Sequence, residues 1–348
     1  LTDAVILIDA ERCILDSNAA ALDVLGSLQA GEDLSHAIDQ PDMLRVLDQV
    51  LSGEPIVSAE ITLPYPVMRT FEATATRIVQ HTAGDIKRGA TVLLVLHDIT
   101  AIRASEIARS DFIANVSHEL RSPLASLIGF IETIQTSAKD DIEARDRFMS
   151  IMEGEAARMK ALIDDLLSLS KIEANEHIRP DGKVDLPSVL KSVAQPLGQK
   201  AEQKDMTIEI THETGIKFVP GDEQELVQIF TNLIDNGVKY GSENSKVAVN
   251  CTLVDRIPTT SAINVPGVCV AVTNYGEPIA AEHLPRLTQR FYRIDKGRSR
   301  SVGGTGLGLA IVKHLVNHHR GRLDINSDAK NGTTFSVYLP IAIEAGPS

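Results

Sequence analysis

Between residues 113 and 134 apolar side chains recur at three- and four-residue steps: Ile113, Val116, Leu120, Leu124, Leu127, Ile131 and Ile134. After a break at 137–141 the pattern resumes with Phe148, Met152, Met159, Leu162, Leu166 and Leu169. This spacing draws one apolar stripe along each of two long helices. A helical hairpin does not bury such a stripe alone. A second copy, giving a four-helix bundle, solves the problem and predicts a homodimer; a lid from elsewhere in the chain is the other solution.

The first helix carries the run Ser117-His118-Glu119-Leu120-Arg121-Ser122-Pro123. The stripe passes through Val116 and Leu120, so His118 faces solvent. An imidazole with one unprotonated ring nitrogen is a usable nucleophile near neutral pH. Glu119 can hydrogen-bond the other nitrogen and stabilise charge as the ring reacts, although neighbouring helix positions need a suitable Glu rotamer for that contact. Ser122 lies one turn beyond His118, where its hydroxyl can orient a water. Pro123 removes an amide donor and crowds the Glu119 carbonyl, which predicts locally loosened helical geometry.

The segments on either side alternate strands with shorter helices. Residues 4–9 and 90–98 read as strands and 18–25 and 43–51 as helices, which predicts a small α+β domain over 1–100. Cys13 lies in a short apolar run and is expected to be a buried core thiol. The stretch 175–183, with Pro180 and Gly182, reads as a hinge. Beyond it, strands at 246–254, 268–273 and 334–339 interleave with helices and predict an α/β sandwich with helices on one sheet face. The segment 256–266 is an extended connection without an assignable role. The domains are therefore 1–100, 101–175 and 184–341, together a multidomain α+β chain.

Formal net charge is -13. That balance argues against nucleic-acid binding through a general basic surface. A local cationic stretch, Arg290, Arg293, Lys296, Arg298 and Arg300, adjoins a glycine cluster where a small anion could use it. Three cysteines without a close pair fit a reducing compartment. No apolar run approaches the roughly 20 residues that span a bilayer. The chain as given is expected to be soluble and cytoplasmic. It begins at Leu1 rather than Met, so a missing upstream segment, and a parent anchored at the inner face of the cell membrane, are compatible with it.

Two further constellations suggest a nucleotide. The helix 225–240 places Asn232 and Asn236 four residues apart on one face, with Lys239 near its end. The Asn236 amide oxygen can ligate Mg²⁺, whose shell water and phosphate oxygens would complete, and Lys239 can meet phosphate. Gly303-Gly304-Thr305-Gly306-Leu307-Gly308 then precedes a helix, offering bare backbone amides and a helix N-terminus to an anion. The cluster is no P-loop, because the Gly-Lys-Ser/Thr ending is missing.

With these motifs in place the chain resembles the sensor histidine kinases of two-component systems over essentially its full length. Residues 117–123 match the phosphoacceptor motif, with Ser122 where Thr is usual. Residues 232–240 match the Asn-rich motif, with Gly237 in place of Ala. Arg290-Phe291-Tyr292-Arg293 is similar to the Phe-containing motif, 304–309 to the second glycine motif, and Gly332-Thr333-Thr334-Phe335 to the terminal one. Within the family, 129–133 and 163–170 look most like phosphate-regulon sensors.

The resemblance implies a PAS-like sensor domain, a dimeric phosphotransfer hairpin and a Bergerat-fold ATPase domain. It implies ATP-dependent phosphorylation of His118, assisted by Glu119, and transfer to an aspartate of a response regulator's receiver domain. Ser122 would support dephosphorylation of that partner. ATP and Mg²⁺ would be held by Asn232, Asn236, Lys239, Tyr240, Asn274, Gly276, Gly304, Gly306, Leu307, Gly308 and Thr333, with Asn236 on the metal. One run departs from the family: Asn274-Tyr275-Gly276-Glu277-Pro278 stands where Asp-x-Gly-x-Gly is usual. Asn274 offers an uncharged acceptor to the adenine amino group, so weaker binding is expected. That departure keeps open a phosphatase-biased enzyme, or a kinase-deficient scaffold that binds a response regulator.

Overall fold

The computed structural model describes residues 2–64, 68–78, 91–175, 178–216, 218–258, 265–294 and 304–341. Lys296, Arg298, Arg300 and Gly303, singled out above, lie outside them. The chain divides into two compact units, Leu1–Ala114 and Asn115–Ser348.

In the first unit β1 (Ala4–Ile8), β2 (Ile14–Ser17), β3 (Ile56–Leu63), β4 (Arg69–Ile78) and β5 (Thr91–Asp98) form an antiparallel sheet in the order β2-β1-β5-β4-β3. Period-two alternation turns Ala4, Ile6 and Ile8 inward. They join the core against which α2 (Pro41–Ser52) packs over β3 and β4, burying Met43, Val46, Leu47 and Val50, while α1 (Ala19–Leu25) packs on β1. Cys13 departs from the sequence expectation. It is only half-buried, because the turn Asp9–Cys13 places Arg12 at positive φ and the inward position falls to Ile14.

The helix α3 (Thr100–Gln135) starts where the Asp98 carboxylate accepts from the Thr100 amide at 2.9 Å. It runs through Pro123 without ending, and Pro123 is buried. The Asp141 side chain caps the start of α4 (Ile142–Asn175) by accepting from the Ala144 amide at 2.9 Å. Phe130 of α3 stacks on Phe148 of α4 with centroids 5.4 Å apart. Much of the hairpin's apolar surface stays exposed, including Leu124 and Ile131 of the stripe and the neighbouring Ile128, Ile163 and Leu167.

A second sheet lies in the second unit. It contains β7 (Thr207–His212), β9 (Lys246–Val254), β10 (Gly267–Asn274), β11 (Arg322–Asp328) and β12 (Gly332–Pro340), ordered β11-β12-β10-β9-β7, with β7 parallel to β9 and every other pair antiparallel. Against it pack α5 (Leu186–Glu202), α6 (Glu223–Tyr240) and α7 (Gly308–His318). Leu226, Ile229, Phe230, Leu233, Val249, Val270, Ile311, Leu315 and Val337 are buried in this layer. A short ribbon, β6 (Lys183–Asp185) with β8 (Phe218–Pro220), closes one end. On its other side α7 packs along α4, where Leu162, Leu169 and Ile172 are buried.

Candidate functional site

His118 projects from α3 into solvent. Its neighbour Glu119 does not turn toward it. Glu119 Oε2 accepts a hydrogen bond from Arg158 Nη2 of α4 at 3.0 Å, with both side chains largely shielded (29% and 19% exposed). Ser122 is exposed on the same helix, and its carbonyl accepts from the Ser126 hydroxyl at 3.2 Å.

The second cluster is built where α6, the end of β10, the start of β12 and the start of α7 converge. The Asp222 carboxylate caps α6 by accepting from the Glu225 amide at 3.0 Å, and the helix then presents Asn232, Asn236, Lys239 and Tyr240 at successive turns. Asn232 meets the N-terminus of α7: a Cβ on Gly308 would stand 3.1 Å from its Oδ1. Tyr240 approaches the glycine loop, its hydroxyl 3.6 Å from the Cβ position of Gly304. Any side chain at Gly276 would collide with the Tyr240 carbonyl, so glycine there lets the chain cross the end of α6. Asn274, 6% exposed, ends β10 opposite Thr333 of β12, and its carboxamide makes no hydrogen bond among the described residues. Gly306 adopts φ +74 beside Phe291, whose amide donates to the Gly306 carbonyl at 2.9 Å.

The N-terminus of α7 receives no side-chain cap, and Leu307 is buried behind it. Its first amides and the open glycine backbone therefore offer donors and a positive dipole end to an anion. The residues expected to bind nucleotide, Asn232, Tyr240, Asn274, Gly276, Gly304, Gly306, Leu307, Gly308 and Thr333, thus lie on or beside these converging elements. Asn236 is half-buried on α6, without a side-chain hydrogen bond among the described residues. Lys239 is already paired, its Nζ 2.6 Å from Asp235, which also takes Lys200 of α5 at 2.5 Å. Burial pushes Asp235 up, but the bonds from both lysines outweigh it and hold the carboxyl below its ordinary value.

Several residues at this site were not singled out from the sequence. Asp165 of α4 accepts from the Thr305 hydroxyl at 2.7 Å, and Ser168 donates to Gln228 of α6 at 3.0 Å. Burial raises the Asp165 carboxyl above its ordinary range against the Thr305 bond and the Lys239 charge. Glu173 pairs with Arg290. At the far end of α7, His318 bonds Glu225 at 2.9 Å and the Ile178 carbonyl, so the stretch expected to be a hinge is fastened at that point. His319 donates through Nδ1 to the Leu315 carbonyl at 2.9 Å and accepts from the Asp222 amide through Nε2 at 3.1 Å. Glu225, His318 and His319 sit close enough to suggest a metal, yet all four ring nitrogens are committed to protein partners. Apart from the local His319–Leu315 bond, no spacing signal marks these contacts, because their partners lie 60 to 140 residues apart.

An exposed histidine on a helical hairpin joined to an α/β layer with an uncapped, glycine-preceded helix N-terminus fits a phosphotransfer class of protein, and sequence relationships define the class. Residues 108–175 match the His Kinase A (phospho-acceptor) domain. Residues 221–343 match the histidine kinase-, DNA gyrase B-, and HSP90-like ATPase family. The chain is 32% identical over 346 residues to the phosphate regulon sensor protein PhoR of Pseudomonas aeruginosa, covering 97% of this chain and 72% of that protein. It is 34% identical over 251 residues to the sensor protein kinase WalK of Staphylococcus saprophyticus, covering 72% of this chain but 40% of the relative. The histidine kinase ThkA, solved in complex with the response regulator protein TrrA, shares the fold: TM-score 0.53, 20% identity, 98% of this chain and 96% of that one. The chain belongs to the sensor histidine kinases. Among the described residues no helix is long and apolar enough to cross a membrane.

Proposed function

We propose that the chain transfers the γ-phosphoryl group of ATP to His118 and passes it on to an aspartate of a response regulator. The observation that carries this reading is the pairing, within one chain, of a solvent-facing His118 with a glycine-rich loop and an uncapped α7 N-terminus that suit a polyphosphate. One ring nitrogen of His118 attacks phosphorus, and Glu119 takes up the charge that develops on the other. Tyr240 and Asn274 would meet the base, while Gly304, Gly306 and Gly308 let phosphates approach the backbone. Lys239 and Asn236 stand on α6. A Mg²⁺ held by Asn236 would offset charge on the transferring group.

The exposed stripe of α3 and α4 fits a homodimer, with the receiver domain docking on the same hairpin. The N-terminal sheet fits a PAS-like sensor. An upstream anchor would place the parent at the inner face of the membrane. Ser122 would serve the reverse activity on the phosphorylated partner. A phosphatase-biased reading is favoured by two observations: Asn274 lacks a charge, and Lys239 is already paired with Asp235.

Incubation with γ-labelled ATP and Mg²⁺ tests this, comparing wild type with His118→Ala and Asn236→Ala. Acid-labile, base-stable label in wild type alone is expected. Label surviving in His118→Ala would remove that residue from the mechanism. Nucleotide binding without label, together with loss of phosphate from a pre-charged receiver, would favour the phosphatase reading.

A further inference from the structure

Glu119 follows His118 in sequence, yet among the described residues it bonds Arg158 instead, 39 positions away on the second helix of the hairpin. Successive helix positions point about 100° apart, so one Glu119 rotamer reaches toward His118 while another reaches toward α4. The second is the one adopted. Phe130 and Phe148 hold the hairpin together through a separate stack, so the ion pair is not the only link between its helices.

Two donors therefore compete for one carboxylate. A guanidinium is always charged and forms a charge-assisted bond; a neutral imidazole N–H forms a weaker one. The balance changes only as the ring is phosphorylated. The bond from the attacking nitrogen to the γ-phosphorus forms and the bond from phosphorus to the bridging oxygen breaks, its electron pair leaving with ADP. The ring becomes cationic, and its remaining N–H then competes on equal terms for Glu119. Glu119 accepts that proton and passes it to solvent, leaving a neutral phosphorylated ring. An interaction made in the transition state and withheld in the ground state is the kind that controls turnover.

We propose that Arg158 is a positioning residue for this reaction, holding Glu119 away from His118 until charge develops on the imidazole. The inference rests on the kinase reading above. Arg158 need not touch the reacting atoms; it acts through the carboxylate it retains.

The test uses the full chain with Arg158→Gln, Arg158→Lys, Glu119→Gln and the double variant Arg158→Gln/Glu119→Gln. Freed of its competitor, Glu119 is expected to raise kcat for His118 labelling about twofold to fivefold in Arg158→Gln, with KM for ATP unchanged, the range expected of a partly exposed ion pair. Arg158→Lys, which keeps the cation but loses the planar fork, should show a smaller rise. In the Glu119→Gln background the Arg158→Gln change should have no effect. A second readout needs no nucleotide: ¹⁵N spectra of labelled histidine should move His118 in Arg158→Gln toward the single tautomer whose N–H faces Glu119. A fall in kcat with unchanged thermal unfolding, a rise that persists without Glu119, or identical His118 spectra in all variants overturns the proposal. If wild type takes no label, the kinase reading fails, while the spectra still decide whether Arg158 withholds Glu119.

Discussion

Asn274→Asp restores at the end of β10 the charge usual in the family, and the structure fixes what it should do. Asn274 is 6% exposed, and its carboxamide has no partner among the described residues. A neutral acceptor contributes about 0.5–1.5 kcal/mol to a hydrogen bond and a charged one about 1.5–3 kcal/mol. The difference, about 1 kcal/mol, corresponds to roughly fivefold tighter binding of an adenine nucleotide. Without ligand the new carboxylate is buried and unmatched, so the unliganded protein should lose about 1–3 kcal/mol of stability. The two effects have opposite signs and are measured separately: titration with a fluorescent ATP analogue gives the first, and unfolding without nucleotide gives the second. A guanine nucleotide, which offers a carbonyl where adenine has an amino group, should bind more weakly to the variant than to wild type. Unchanged affinity for both nucleotides, despite a less stable unliganded state, would refute the assignment of Asn274 to the base pocket.

Gly237→Ala should destabilise the protein by about 1 kcal/mol, because overpacking of about 1–3 kcal/mol exceeds the gain in helix propensity. The added Cβ would meet Val247 Cγ1 at 2.9 Å, so in a Val247→Ala background the same change should become stabilising, as denaturant midpoints would show. Burial holds His319 below the ordinary histidine value of 6.5, against its bond to Leu315 and the nearby Glu225. Stability from the neutral ring is therefore complete above about pH 6.5 and is lost as pH falls through the depressed value, and His319→Gln should flatten that part of the pH–unfolding curve.

What the sequence made legible follows from local periodicity. The stripe through Val116 and Leu120 placed His118 on the solvent face, and the four-residue step between Asn232 and Asn236 placed both on one face of α6. The glycine loop was readable because it directly precedes a helix. Gly237 was visible only as a departure; its reason, the branched Val247 side chain on β9, belongs to a helix–sheet contact that no local pattern encodes. Arg158 was hidden because its partner is on another helix, and Cys13 was misplaced because a turn shifts the inward register to Ile14 by one residue.

The long-range contacts bear on what this conformation can do. Arg158, at the level of Glu119, and Asp165, bonded to Thr305 of the glycine loop, are seven residues apart on α4. Seven residues of helix rise about 10.5 Å, nearly two turns. Reacting atoms must approach to about 3–3.5 Å, so on the proposed kinase reading the reach of the bound polyphosphate and travel of the glycine loop along α4 together close that gap. That travel breaks the Asp165–Thr305 and Ser168–Gln228 bonds, a combined cost of about 2–4 kcal/mol before the burial penalty on Asp165 is deducted. A nucleotide bound at micromolar affinity contributes about 8 kcal/mol, enough to supply the difference if it favours the moved state by half of that. The retained Glu119 carboxylate and the distant glycine loop are then two aspects of one resting arrangement. On the kinase reading the loop must move before His118 reacts, and Glu119 is released as charge develops on the ring.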